Sequence, residues 1–589
     1  MCKHDQPQPR GLALDADFWK SIDYQNELNV ESNDDEETEP EVPLADLLAE
    51  WHISHNISLT ATGALLKILK AAGNDVPLDA RTLLQTPRSG TLSVVTKSGG
   101  DYAFFGVAKG MQQALATAES DDVDSYELSM NIDGLPVFKS RNVSVWPIQV
   151  AITNIQEISN KPFVVAVYCG GQKPQNSEFL LDTIAELKQL VNEGLNGKSV
   201  NIKNIICDSP ARALVKGTVQ FNGKYGCDFC DVKGEWDGRM TFLYEGSTRT
   251  NDSFRNETNK EHHKTESAFL ELDIDMVKQF PIDPMHSVDL GTMKRMALLW
   301  KEGPLIHRLS SGLIKRISHF QEDSAQYFPY PGIFNRKPRS LDELRMWKAT
   351  EFRTFLLYTG PVILKHVLNK DKYEHFLSLS VAMSILYAAD ANVENREYAK
   401  KLLRCFVNQG RRIYGSHFLV YNVHTLLHLS DIASTQGSLQ ECTAYKFENN
   451  MTKIKNCIRG TGDPVTQIAN RMAEIAACQS SANARKEKNA SQVSVKANKC
   501  FKLRNGRFCI IQAVHRDGNV CEVFAKTEPY FITPCDSRII GIHKARRQTS
   551  DMIKLNDTDI LSSAIAIPLR IIANDQSQEV VLLSLRHSN

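Results

Sequence analysis

This 589-residue chain has no apolar run approaching the ~20 residues needed to cross a bilayer. Its nearest candidate, AIAIPLRIIA, is interrupted by Pro568 and Arg570. The opening residues MCKHDQPQPR contain no apolar signal core, and the 13 cysteines lack the dense, regular spacing of a secreted disulfide scaffold. A membrane protein and a disulfide-stapled secreted domain are therefore not expected. The expectation is a soluble protein of a reducing compartment, nuclear or cytosolic. Net charge is missing too: 69 Lys and Arg balance 69 Asp and Glu, so overall charge gives no hint of a nucleic-acid partner.

What is present is an ordinary globular composition, with 42% hydrophobic and 23% charged residues. A single core stops growing near roughly 250 to 300 residues, so two to four domains are expected. Residues 1–43 are polar and acidic, with Glu31 to Glu41 reading ESNDDEETEPE, and are expected to be a disordered tail. Residues 44–90 turn helical. The run SLTATGALLKILKAAG carries Leu65, Leu66, Ile68 and Leu69 as an apolar stripe ending at Gly73. Such tandem short helices fit a DNA-reading helix-turn-helix or a plain helical cap.

Within residues 91–234 the period changes. YELSMNID, SVWPIQVAITNI, FVVAVYCGG and VNIKNIICD read as strands. Between the last two lies a helix, with Ser177 as a possible cap and Leu180, Ile184, Leu187 and Val191 at helical spacing before Gly194. The order strand, strand, strand, helix, strand implies an α/β layer with a mixed sheet, with an Asp ending the first and the fourth strand. Residues 235–420 are dominated by helical patterns, and residues 421–479 by a helix pair. A basic linker, 480–499, precedes a small β-rich module at 500–589, for which a barrel is the natural expectation. Basic charge concentrates in that linker, from Arg485 to Lys499, and again at His543 to Arg547.

Five motifs carry chemistry. Asp133 lies in NIDGLPVFKS, just past a strand, where a carboxylate can meet a hard cation, although Asp-Gly is first of all a turn dipeptide. Asp208 ends a buried strand in NIICDSPARA and is followed by the CxxC of Cys227 and Cys230. In a reducing compartment that pair reads as half of a zinc site or, less readily, as a redox pair. His424 and His428 in VHTLLHL stand four apart, so a helix would place both on one face for the same metal. In YKFENNMTKIKNCIRG, Phe447, Met451, Ile454 and Ile458 form a buried stripe, leaving Glu448, Thr452 and Lys455 beside it. PIDPMHSVDLG adds Asp283 and His286, either part of a site or a turn that opens a helix.

NIDGLPVFKSRNVSVWPI, CDSPARA with GxxGCDFC, DPMHSVDLG, HTLLHL and FENNMTKIK occur here in the order seen in CACTA (En/Spm-type, tnp2-like) transposases. The chain resembles that family across about residues 44 to 475. Its arrangement is also similar to Transib transposases and the catalytic subunit of the V(D)J recombinase. The resemblance implies an RNase H-like mixed-sheet core interrupted by a large helical insertion. It implies that Asp133, Asp208 and Glu448 form a DDE triad for two Mg²⁺ (or Mn²⁺) ions, with His286 near it. It further implies that Cys227, Cys230, His424 and His428 bind Zn²⁺. The activity implied is DNA strand cleavage and transfer by a nuclear protein, homo-oligomeric on DNA, with the basic face of Lys453, Lys455 and Arg459 touching the backbone. No end-reading finger or strongly basic N-terminus precedes Asp133, so a host-adopted DNA- or chromatin-binding derivative without catalysis is the alternative. A zinc-stabilised interaction scaffold is the third.

Overall fold

Runs of β-branched and aromatic residues build the central sheet. The computed structural model describes residues 42–87, 93–119, 121–138, 143–327, 334, 336–483, 500–515, 518–524, 526–546, 552–569 and 579–585. The expected acidic tail, apart from residues 42–43, and residues 484–499 of the basic linker lie outside them. The strands are β1 Val95–Lys97, β2 Gly100–Phe104, β3 Ser125–Ile132, β4 Leu135–Pro136, β5 Ser144–Ile152, β6 Phe163–Gly170 and β7 Ser199–Ile206. They run β1-β2-β6-β5-β3-β7, with β4 added beside β5. All pairs are antiparallel except β3 with β7. The sheet is thus mixed, and its hairpin β1–β2 is a pair that the sequence reading had not anticipated.

Helices cover both faces, which is why β5 and β6 are buried at nearly every position rather than alternately. On one side lie α4 Val107–Leu115 and α5 Leu181–Glu193, reached from the sheet by a short 3₁₀ turn at Ser177–Leu180. Ser177 does not cap this segment. The side chain of Asn176 does, accepting from the Glu178 N–H, and Leu190 is buried where Val191 is exposed. Leu180, Ile184 and Leu187 are buried as expected, so the apolar face departs from the expected one only in its last turn. α5 stops at Gly194, whose φ of 77° suits a residue without a Cβ.

After β7 the chain enters α6 Ser209–Lys216, and then a stretch of loops and 3₁₀ turns that holds the small hairpin of β8 Glu235–Trp236 and β9 Met240–Thr241. This stretch interrupts the region in which helical patterns were expected to dominate. The helical body follows: α7 Asn251–Arg255, α8 Lys294–Glu302, α9 Ser311–Tyr327, α10 Ala349–Thr354, α11 Gly360–Ile363, α12 Lys370–Tyr387, α13 Val393–Tyr414, α14 Tyr421–His424 and α15 Leu429–Gln436. α12 is buried from Phe376 to Tyr387 and packs along α13, forming the insertion's own core.

The chain returns to the open face of the sheet with α16 Tyr445–Asn456 and α17 Pro464–Asn483. Met451, Ile454, Val465 and Ile468 pack there on Ala103, Val145, Val164 and Val167. The N-terminal helices, α1 Leu44–Ser54, α2 Leu59–Ala71 and α3 Ala80–Leu83, form a cap with Cys478 of α17 against their core. Of the expected stripe in α2, Leu66 is fully buried whereas Ile68 faces out. The C-terminal module comprises β10 Cys500–Leu503, β11 Phe508–His515, β12 Gly518–Phe524, β13 Glu528–Pro529, β14 Ile542–Arg546, β15 Met552–Leu555, β16 Ile560–Pro568 and β17 Glu579–Ser584. Its strand path, β13-β14-β17-β16-β10-β11-β12-β15, has two ends that do not pair with each other among the described residues. A closed barrel is not formed. No described helix is long and apolar enough to cross a membrane.

Candidate active site and metal centre

β3 and β7 are parallel neighbours whose register pairs Asn131 with Ile206. Asp133 and Asp208 each lie two residues beyond that pair, so adjacent strands about 4.8 Å apart deliver both acids to the same edge. Asp208 is also the N-cap of α6, its Oδ1 accepting from the Ala211 N–H at 2.7 Å. Asp133 accepts from Gly134 N–H at 2.7 Å. A Cβ on Gly134 would stand 2.8 Å from the Trp146 ring, so a larger residue here would have to displace that ring.

A buried polar ladder sets where the third acid lands. Asn131 donates to the Ile206 carbonyl (2.9 Å), Gln149 donates to Asn131 (3.1 Å), and Asn450 of α16 donates to Gln149 (2.9 Å). Apolar packing of Phe447 on Ala151 and Ile206 holds the same helix from below. Glu448 then meets Asp133 and His286 such that one ligand atom from each lies within 4.8 Å of the others. His286 Nε2 is 3.9 Å from Glu448, and its Nδ1 is 2.6 Å from Asp283. Asp283 is itself fixed by the N–H groups of Met285 and Ala444. The reading of PIDPMHSVDLG as only a helix-opening turn therefore misses the carboxylate–imidazole pair. Its helix, Met285–Met293, is wound as a π-helix.

The electrostatics of this edge are those of clustered acids around one imidazole. Burial, then the charges of Asp208 and Glu448, raise the Asp133 carboxyl well above the usual carboxylate range, with His286 opposing. Burial likewise raises Glu448. Burial alone would lower His286, but the hydrogen bond and charge of Asp283, with Asp133 and Asp208, push it up to about 9. Asp133, Glu448 and His286 form the close group without Asp208, and carboxylate oxygens of this kind suit a hard divalent cation.

A second cluster is formed by Cys227, Cys230, His424 and His428. Sulfur to sulfur is 3.6 Å, His424 Nε2 to His428 Nε2 is 3.4 Å, and the two sulfur–nitrogen contacts are 3.5 and 3.3 Å. A tetrahedral ion about 2.3 Å from sulfur and 2.0 Å from nitrogen needs edges of roughly 3.8, 3.3 and 3.5 Å. The cluster could therefore hold a metal such as zinc. The two histidines do not share a continuous α-helix, because α14 ends at His424 and a 3₁₀ turn carries His428. Phe242 and Phe229 stack on the imidazoles of His424 and His428, with centroids 5.3 and 5.6 Å apart. Between the cysteines, Asp228 is bonded to Arg212 (2.9 Å) and Lys216 (3.3 Å), which ties the loop to α6. Lys216 and Arg212 are themselves fully buried.

The three cations expected to touch DNA separate. Lys453 and Lys455 are exposed on α16. Arg459 lies past its end and donates to Asn56 and to the Ile57 carbonyl in the α1–α2 turn, so it serves the N-terminal cap instead. Sequence reasoning missed Asn131, Gln149 and Asn450. The two on strands sit at positions facing the sheet's second side, where a polar residue in a buried strand was a usable signal. No protein-family model and no curated protein matches this chain.

Proposed function

We propose that the protein is an RNase H-like DDE nuclease and strand transferase descended from CACTA-type transposases, acting on DNA in the nucleus as a homo-oligomer. The observation that carries this reading is the placement of Asp133 and Asp208 at the ends of the paired strands β3 and β7, with Glu448 and His286 each bringing a ligand atom within 4.8 Å of Asp133, although the three acids lie 75 and 240 residues apart in sequence. Acids drawn together against their mutual repulsion, with the His286 imidazole facing them, are an arrangement of the kind found at functional sites. The strand order, with two parallel acid-ending strands side by side and the third acid on a returning helix, matches the arrangement that the resemblance implies.

Asp133, Asp208 and Glu448 would hold Mg²⁺ or Mn²⁺. Bound there, two such ions supply the charge that activates water or a 3′-hydroxyl and stabilises the leaving oxygen of an in-line phosphodiester displacement. The chain's own groups orient that chemistry. The Asp208 cap bond engages one of its oxygens, and Asp283 holds His286 Nδ1 so that Nε2 is left toward Glu448. Lys453 and Lys455 add backbone contacts on the same helix as Glu448. Zn²⁺ in the Cys227, Cys230, His424 and His428 cluster serves structure.

Purified protein with Mg²⁺ or Mn²⁺ is expected to nick or join plasmid DNA. Glu448→Gln should abolish this with DNA affinity retained, because Gln keeps size and one oxygen but loses the charge. Binding by the wild type without cleavage in either metal would make the chain a non-catalytic DNA-binding derivative. Absence of DNA binding would end the nucleic-acid reading.

A further inference from the structure

The helix that starts with His286 does not stop at the acids. It continues through Leu290 and Gly291 into α8, and there it forms one wall of an open groove of about 700 Å³. The opposite wall is the tip of the β8–β9 hairpin, Asp237 to Arg239. Leu290 also packs on the apolar cluster containing Ile206 and Phe447, the residues beneath the acids of the site above. The groove's lining is thus joined through Leu290 to the packing beneath the acids.

Its charge is uncompensated. Arg239, Lys294 and Arg295 line it, together with two acids. Of those acids, Glu302 is held by Arg345 (2.6 Å) and Asp237 sits 3.4 Å from His417. Neither Arg239 nor Lys294 has a hydrogen-bond or ion-pair partner among the described residues, and Arg239 is exposed. Arg295 gives one N–H to the His417 carbonyl (2.6 Å), while its buried Nε has no acceptor. Burial and the charge of Arg239 lower the Arg295 guanidinium to about 10. Cations crowded together with donors to spare are relieved by an anion from outside the chain, and planar guanidinium forks match phosphate.

We propose that this groove binds the phosphodiester backbone of the DNA strand flanking the acid site. The inference rests on the nucleic-acid reading of the acid site, but not on catalysis there.

The test is fluorescence anisotropy of a labelled DNA duplex in Ca²⁺ buffer, with plasmid nicking measured in parallel in Mn²⁺. The full-length Arg239→Glu/Lys294→Glu variant should bind at least tenfold more weakly. Its slope of log affinity against log salt should fall by roughly two units, since each phosphate contact contributes about 0.9. The Arg239→Gln/Lys294→Gln variant should fall between the two and retain the wild-type thermal midpoint, so that misfolding is separable from lost contacts. Any residual nicking by these variants should recover at high DNA concentration. Unchanged affinity and salt slope in both variants would overturn the groove while wild-type nicking still upheld the acid site. Groove-dependent binding without any nicking would uphold the groove and remove the catalytic reading. Binding of polyglutamate that is lost in the variants, with DNA affinity intact, would overturn the proposal in favour of an acidic protein partner.

Discussion

Gly134 and His375 show how much rests on single residues. A methyl group on Gly134 enters the space of Trp146, with contacts at 2.8 and 2.9 Å, directly beside Asp133. Gly134→Ala is expected to cost about 1–3 kcal/mol through overpacking, and to lower metal-dependent nicking more than DNA binding. An unchanged urea midpoint would show that the turn has room. His375 lies in the insertion core, donating from Nε2 to the Phe406 carbonyl at 3.0 Å and stacked on the Phe406 ring at 4.1 Å. Burial pushes its imidazole down to about 4. The unfolded chain takes up a proton near pH 6.5 and the folded chain does so only near 4, so the folded state holds its full stability above pH 6.5 and loses it as pH falls through that window. The loss attributable to His375 is at most about 3 kcal/mol. His375→Leu should flatten urea midpoints measured between pH 7 and 4.5. An identical pH slope in variant and wild type would contradict this.

At the scale of elements, α16 illustrates what periodicity can and cannot convey. Phe447, Met451 and Ile454 are buried as their spacing demands, and that face had to lie against the sheet. Spacing does not say where along the sheet the helix stops, and it misassigns Arg459; Ile458, also past the last turn at Asn456, still packs on the cluster of Met451 and Ile454. The stopping place is set by the Asn131–Gln149–Asn450 ladder. Gln149→Ala strips a donor and an acceptor from a buried site and should cost about 1–3 kcal/mol. Nicking should fall further than stability explains, since Glu448 is one turn from the loosened end. Full activity in a destabilised variant would reduce the ladder to a purely structural role. The i, i+4 histidines are a related case: their spacing was legible, but the break between α14 and the following 3₁₀ turn was not.

For the whole molecule, the Cys/His cluster joins the two ends of the insertion, just after α6 and just before α15. Without a metal the long insertion is anchored by packing alone. A cross-link closing a loop of more than about 100 residues stabilises by roughly 5 kcal/mol in the chain-entropy picture. Purified protein is therefore expected to contain one zinc per chain. Chelation, or Cys227→Ser, should lower the thermal midpoint by several degrees and loosen the insertion, seen as faster amide exchange in α12 and α13. Protein free of zinc with an unshifted midpoint would remove the staple.

The sequence by itself determined the strands and helices of the core, the mixed sheet, the acids at two strand ends and the two candidate metal-binding pairs. These are properties of period and spacing, set by backbone geometry within a few residues. Only the tertiary structure decided that Asp283 would orient His286 toward Glu448 and that Arg459 would hold the N-terminal cap. It alone decided which polar strand residues would position α16, and that Arg239, Lys294 and Arg295 would line one groove. Each of these is a contact between groups tens to hundreds of residues apart, and its energy exists only once packing has brought them together.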